Sequence, residues 1–301
     1  MGEPVDRPAL RASALRELLL HPAGPLGRLE VVERAESTNT ELAAALTREP
    51  DAWRGVGMVV ADHQAGGRGR AGRSWQTPPR AALTLSISVW PTAQDQRSIG
   101  WLPLLTGLGA VRALRATAGV DAGLKWPNDL LVLGAAATEG DALDGWGTDR
   151  KVGGVLSELV PTAAGPAAVL GIGINVSQTA DELPVPSATS LALAGAKDLD
   201  REVLVVALVT ALAELKARWS TAGGDAVASG LADEVQAVCR TLGRRVRVAL
   251  PGGGELVGTA RRLDGAGALV VRDDAGTERT VLAGDVLHVR GAEPVGPGQR
   301  P

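Results

Sequence analysis

Apolar and polar positions alternate most regularly at residues 83–89. Leu83, Leu85, Ile87 and Val89 share one face and Thr84, Ser86 and Ser88 the other, a two-residue period that predicts a half-buried strand. The period lengthens at Leu104, Leu108, Val111 and Leu114, which predicts a helix. Upstream, Leu10, Leu15, Leu18 and Leu19 place a helix over residues 8–20 behind a frayed tail at residues 1–8, and residues 29–34 and 57–61 read as strands. Between them Ser37-Thr38-Asn39-Thr40-Glu41 opens a second helix, with Thr38 and Glu41 spaced as a capping box. Further strands are expected near 123–126, 130–133, 152–160 and 168–176, then helices over 201–219 and 225–239.

After Cys239 the texture changes. Short strand patterns at 245–250, 255–263, 268–272, 278–282 and 286–290 are separated by Pro251-Gly252-Gly253-Gly254, Asp264-Gly265 and Asp273-Asp274-Ala275-Gly276. Evenly spaced short strands with strong turn residues predict a small barrel. The expected organisation is a domain over 1–240, a barrel over 241–290 and a disordered tail over 291–301, with a second disordered stretch at 134–149.

Composition narrows the class. A chain of 301 residues can bury a substantial core, and its net charge of −3 speaks against a general nucleic-acid binder. A single cysteine, Cys239, excludes an internal disulfide framework and a thiolate zinc site. No apolar run approaches the roughly 18 residues of a membrane span, and the first 20 residues carry prolines and charges unlike a signal peptide, so a soluble cytoplasmic protein is expected. Tyr and Phe are absent, leaving seven Trp, and only four cations are lysines: Lys125, Lys151, Lys197 and Lys216.

Four segments carry candidate chemistry. Gln64-Ala65-Gly66-Gly67-Arg68-Gly69-Arg70-Ala71-Gly72-Arg73-Ser74-Trp75 contains a formal dinucleotide fingerprint, but Pro78-Pro79 and a strand follow it where that fold needs a helix. What remains is a glycine-rich loop whose guanidinium groups suit phosphate or carboxylate; its bland alternative is a flexible basic loop. Lys125-Trp126-Pro127-Asn128-Asp129 places a cation, an amide and a carboxylate together, or else is an Asx-type turn. Lys151-Val152-Gly153-Gly154-Val155-Leu156-Ser157-Glu158 has a Gly-Gly pair inside a strand, a mark of close backbone approach or of a bulge. Gly171-Ile172-Gly173-Ile174-Asn175 is a strand with two glycines and a buried-looking amide, open to the same packing explanation.

Together and in this order, the four segments and Ser37-Thr38-Asn39 resemble the signature of the biotin protein ligase family over about residues 30–290. The resemblance implies an α+β fold: a mixed sheet with helices packed on it, of the class II aminoacyl-tRNA synthetase and biotin ligase type, followed by an SH3-like barrel. It implies an ATP-dependent, AMP-forming ligase. Biotin is activated to biotinyl-5′-AMP and passed to a lysine of the biotin carboxyl carrier domain of acyl-CoA carboxylases, with Mg²⁺ required.

By resemblance, Ser37, Thr38, Asn39, Gln64 and the backbone of Gly67 to Gly69 serve the ureido ring of biotin, with Gly153 and Gly154 beside it. Arg68 and Arg70 face the biotin carboxylate and the α-phosphate, and Lys151 bridges both. Lys125, Asn128 and Arg73 belong with the phosphates, and Asp129 with Mg²⁺ or the incoming amine. Trp75 covers the adenine and Asn175 lies on the nucleotide side. Lys151, Arg68, Arg70 and Asp129 are the expected catalytic set.

Two departures stand out: Ala71 replaces a basic residue of several relatives, and 134–149 is an acidic insertion expected to be solvated and to leave its flanking strands paired. Rival readings are a lipoate ligase, whose different, Arg-rich Gly-Gly-Gly motif on the binding loop is not found; a biotin-sensing repressor, for which one helix before residue 36 gives no room for a DNA-reading domain; and an adenylate-binding protein without turnover. The expected assembly is a monomer or weak dimer with no nucleic-acid or membrane partner.

Overall fold

The structure, a computed structural model, describes residues 7–92, 95–135, 141–250, 253–282 and 284–288. In chain order its first strands are β1 (Arg28–Ala35), β2 (Gly57–Gln64), the two-residue β3 (Gly67–Arg68) and β4 (Ser74–Trp75), and β5 (Ala82–Val89). They continue with β6 (Ala122–Lys125), β7 (Asp129–Val132), β8 (Arg150–Val160) and β9 (Ala167–Asn175). Seven of them form one mixed sheet in the order β1-β2-β5-β9-β8-β7-β6, in which only β1 and β2 are parallel neighbours. The helices are α1 (Ala12–Leu19), α2 (Thr38–Arg48), α3 (Leu102–Ala113), α4 (Arg201–Thr221) and α5 (Leu231–Val238). Helix α2 buries Leu42 and Leu46 against Val59 and Val169 on one sheet face, and the other four build the larger core on the opposite face.

Strand β5 is buried along its whole length rather than half-buried. Its apolar side packs with Leu104 and Leu108 of α3 as the alternation requires. Its polar side is roofed by α2, where Ser86 Oγ lies 2.7 Å from Thr38 Oγ1 and 2.6 Å from Asn39 Oδ1. A strand hidden on both faces can keep polar residues only where each finds a partner.

Several ends differ from the sequence pattern. Helix α1 starts at Ala12 because the chain before it is tied down in extended form. There Leu10 N–H donates to Asp62, Pro8 C=O accepts from Arg201, and Arg7 bonds Ser177 and Glu182, so residues 7 and 8 are not frayed. Ser37, not Thr38, caps α2 by accepting from Thr40 N–H, while Glu41 accepts from Glu36 N–H. Helix α5 starts six residues later than expected, at Leu231, after a series of turns that ends at Gly230 with φ +74°. The insertion is not disordered where it is described: Leu143 and Gly147 pair, Asp149 is buried, and the flanking β7–β8 pairing is intact; residues 136–140 lie outside the described residues.

The second sheet comprises β10 (Arg245–Ala249), β11 (Glu255–Leu263), β12 (Leu269–Asp273), β13 (Glu278–Val281) and β14 (Asp285–His288), antiparallel in the order β13-β12-β11-β10-β14. It has the make-up of a small SH3-like barrel. Its buried Val246, Val248 and Val271 join the large core, and the indoles of Trp101 and Trp126 donate to the carbonyls of Gly265 and Gly267. The expected tail, 291–301, lies outside the described residues.

Candidate functional site

A cleft of about 900 Å³ opens among the N-terminus of α2, the β7–β8 hairpin, the arginine loop, the segment after β9 and the edge of the barrel. It brings together Ser37, Thr38, Asn39, Gln64, Arg68, Gly69, Arg70, Arg73 and Trp75 with Lys125, Asn128, Asp129, Lys151, Gly154 and Asn175. Gly67 and Gly153 do not line it. A Cβ on Gly67 would stand 2.3 Å from Gln64 Nε2, and one on Gly153 would stand 2.4 Å from the Gly173 carbonyl, so both glycines permit packing behind the cleft wall.

The floor is an ion pair made possible by a bulge. Leu130 faces Gly153 across the hairpin but Leu131 faces Lys151, so Val152 is extra and turns into the core. Such a bulge re-aims the side chain beside it. Lys151 thereby reaches the side of Gly154 and Asp129, and its Nζ lies 2.5 Å from Asp129 Oδ1. Both partners are partly exposed to the cleft, so the pair is available to ligand. At the end of β6, Lys125 is 3% exposed and its ammonium lies 3.8 Å from the centre of the Trp146 ring. Asn128 closes the turn between them, its N–H donating to Lys125 C=O and its amide to Val155 C=O.

The opposite end is a buried polar cradle. Gln64 Oε1 accepts from Thr38 N–H at 2.9 Å, and Asn39 Nδ2 donates to Glu158 at 2.7 Å. The two glycines of β9 explain themselves here: a Cβ on Gly171 would lie 2.1 Å from Asn39 Oδ1, and one on Gly173 would lie 2.8 Å from the Trp75 ring. Asn175 lines the cleft, and its amide donates to Thr189 C=O and accepts from Gln178. These bonds fasten the segment after β9 and leave one N–H and one oxygen lone pair of the amide for a ligand.

The arginine loop is held loosely. Arg68 donates to Thr40 at 3.0 Å and sits 3.5 Å from Glu158 with its side chain more than half exposed. Gly72 takes φ +73°, a left-handed conformation that glycine adopts without strain, and Gly69 N–H donates to Arg73 C=O to pinch the loop. Arg70 projects into the cleft without an ion-pair partner among the described residues.

Sequence reasoning missed the fourth wall. Trp146 of the insertion and Arg247, Glu255 and Leu287 of the barrel line the cleft. A lone Trp in a Gly-, Ala- and Asp-rich stretch was a usable signal for the first; nothing local marks the others. His288, behind that wall, stays neutral: burial, and then the cations Lys125, Arg244 and Arg240, hold its pKa down at about 3. Burial raises the pKa of Cys239, which is therefore no thiolate nucleophile.

The sequence pattern of the Biotin/lipoate A/B protein ligase family matches residues 31–175, and that of the Biotin protein ligase C terminal domain matches residues 241–289. The biotin--[acetyl-CoA-carboxylase] ligase of Mycobacterium tuberculosis is 37% identical over 94% of this chain and 97% of that protein. The bifunctional ligase/repressor BirA of Bacillus spizizenii is 32% identical over 48% of this chain and 41% of that protein. Among solved structures, biotin protein ligase from Aquifex aeolicus in complex with biotin and ATP superposes with a TM-score of 0.65 at 25% identity, covering 88% of this chain and 99% of that one. With the catalytic sheet, the cleft and the small barrel all present, the chain belongs to the biotin protein ligase family.

Proposed function

We infer that the protein joins biotin to ATP and then to a carrier lysine, and the observation that carries this reading is the cleft itself. One end offers a paired, buried amide and hydroxyl cradle; Lys125 and Lys151 lie at the other, and Arg68, Arg70 and Arg73 of the loop line the cleft with them. That layout fits a small, neutral, hydrogen-bonding ring joined to a carboxylate that must meet a triphosphate.

In the first step a carboxylate oxygen of biotin attacks the α-phosphorus of ATP, and the bond from that phosphorus to the β-bridging oxygen breaks as pyrophosphate leaves. The carboxylate and the phosphates repel each other, so fixed cations between them lower the barrier. On this reading Lys151 does so: its ammonium, held by Asp129 and partly exposed to the cleft, has donors left for both reactants. Arg68 and Arg70 supply further charge as the loop orders. In the second step the carrier lysine attacks the acyl carbon, the bond from that carbon to the phosphate oxygen breaks, and AMP departs while the amine loses a proton. Closure of the arginine loop would shield the mixed anhydride from water between the steps.

Among the described residues no three His, Cys, Asp or Glu side chains gather as a metal site. Magnesium on this reading arrives with the phosphates of ATP, to which it binds with few protein ligands. Asp129 would offer one carboxylate oxygen, the other being engaged by Lys151. The name of the mycobacterial relative gives acetyl-CoA carboxylase as the acceptor of that protein, which supports the biotin carboxyl carrier domain of an acyl-CoA carboxylase as the acceptor here.

The test is ATP–pyrophosphate exchange with biotin and with lipoate, repeated on Lys151→Ala. Exchange with biotin alone, abolished in the variant, supports the reading. Exchange with lipoate, or with neither acid, overturns it.

A further inference from the structure

Among the described residues of the acidic insertion, Trp146 lines the cleft, and its ring lies against the ammonium of Lys125 at 3.8 Å. The placement is built rather than incidental. Leu143 and Gly147 exchange backbone hydrogen bonds of 2.9 and 2.8 Å, which closes a tight loop around Trp146. The buried guanidinium of Arg150 then donates to the carbonyls of Asp141, Gly147 and Asp149, gathering both ends of that loop. Asp149 accepts from Gly134 N–H on the sheet side and from Arg244 on the barrel side. Gly145 rests against β14, where a Cβ would stand 3.5 Å from the His288 carbonyl. The insertion is thus a strap fastened to both domains, with its one large ring turned inward.

The partner of that ring matters. A lysine has a long, flexible stem, and fixing it on a phosphate costs rotamer entropy. An aromatic face attracts an ammonium through its quadrupole and carries no charge of its own. The ring thus orients Lys125 through its face, whereas Lys151 is oriented by the carboxylate of Asp129. His288, which interacts electrostatically with Lys125 from the barrel, is neutral and adds no competing charge.

We propose that Trp146 is a positioning residue for ATP: the strap holds its ring against Lys125 so that the ammonium meets the triphosphate already oriented. This rests on the reading of the cleft as a biotin and ATP site. Biotin, at the far end beside Thr38 and Asn39, should be indifferent to Trp146.

The experiment is ATP–pyrophosphate exchange at saturating biotin with ATP varied, on the unmodified protein, Trp146→Ala, Trp146→Phe, Lys125→Ala and the Trp146→Ala/Lys125→Ala double variant. Biotin affinity is measured calorimetrically on each. The expected result is a KM for ATP raised about tenfold in Trp146→Ala, a magnitude within reach of a partly desolvated cation–π contact. Biotin affinity should be unchanged, Trp146→Phe should restore most of the loss, and removing Trp146 should add nothing once Lys125 is gone. An unchanged KM for ATP, equal losses for ATP and biotin, or additive losses in the double variant overturn the inference while leaving the functional reading intact. No biotin-dependent exchange in the unmodified protein overturns that reading, and the inference with it.

Discussion

The two sides of the cleft carry similar charge and hold it differently. On the floor, Lys125 is buried against Trp146 and Lys151 is locked to Asp129 at 2.5 Å, both on strand ends inside the main sheet. On the roof, Arg68 and Arg73 are exposed, and Arg68 makes contacts that surface solvent can replace. The floor cations have lost most of their conformational freedom during folding, so ligand binding need not supply that entropy again. The roof cations have not, and their ordering must be driven by the ligand. A reaction that needs preorganised charge at the transition state and a closed site afterwards makes use of both arrangements.

Substitutions on the two sides should therefore fail in different ways. The largest effect belongs to the floor: Lys151→Gln should slow adenylation by about 10²–10³-fold, a loss typical of removing one preorganised charge. Rapid-quench measurement of biotinyl-5′-AMP checks it, and a loss below tenfold would erase the distinction. On the roof, Arg70→Gly should leave adenylate formation within about tenfold yet release the intermediate, so that lysines of a bystander protein become biotinylated. Unchanged selectivity for the carrier lysine would show that the loop does not shield the adenylate.

A third test sharpens the view of the floor as rigid. Gly171→Ala puts a methyl 2.1 Å from Asn39 Oδ1 in a packed polar network. It should cost about 1–3 kcal/mol of stability and weaken biotin binding more than ATP binding. Denaturant unfolding together with calorimetry separates the two, and an unaffected biotin affinity would remove Asn39 from the cradle.

The smallest expected effect concerns the wall behind Lys125. His288 is buried and neutral with its pKa near 3, whereas an unfolded histidine takes a proton near pH 6.5. Below pH 6.5 the unfolded chain binds a proton that the folded chain refuses. This group then lowers stability by roughly 1.4 kcal/mol for each pH unit, down to the folded value. His288→Gln removes that dependence. Its stability deficit relative to the unmodified protein at pH 7 should shrink by pH 5, and a constant gap in urea unfolding at the two pH values would break the argument.

Much of this was legible in the chain. Period-two and longer patterns located the strands and helices because a residue's face is set by local backbone geometry. The polar face of β5 was misread, since alternation reports polarity and not what covers the face: α2 does, with Thr38 and Asn39 as partners for Ser86. The insertion was misread for a related reason. Its composition gives it no core of its own, and its order comes from Arg150 and from the distant Arg244, just before β10.

The sequence by itself determined the two-part architecture, the cationic loop, the two lysines and the glycines that make room for something close. These follow from short-range chemistry: residue type, spacing and the backbone freedom of glycine. Only the tertiary structure decided that Val152 bulges so that Lys151 reaches Asp129, that Asn39 and Trp75 are what the β9 glycines admit, and that Trp146 and the barrel edge complete the cleft. Each of those is a contact between segments far apart in the chain. Its energy depends on register and on packing of the whole core, and no local pattern records it.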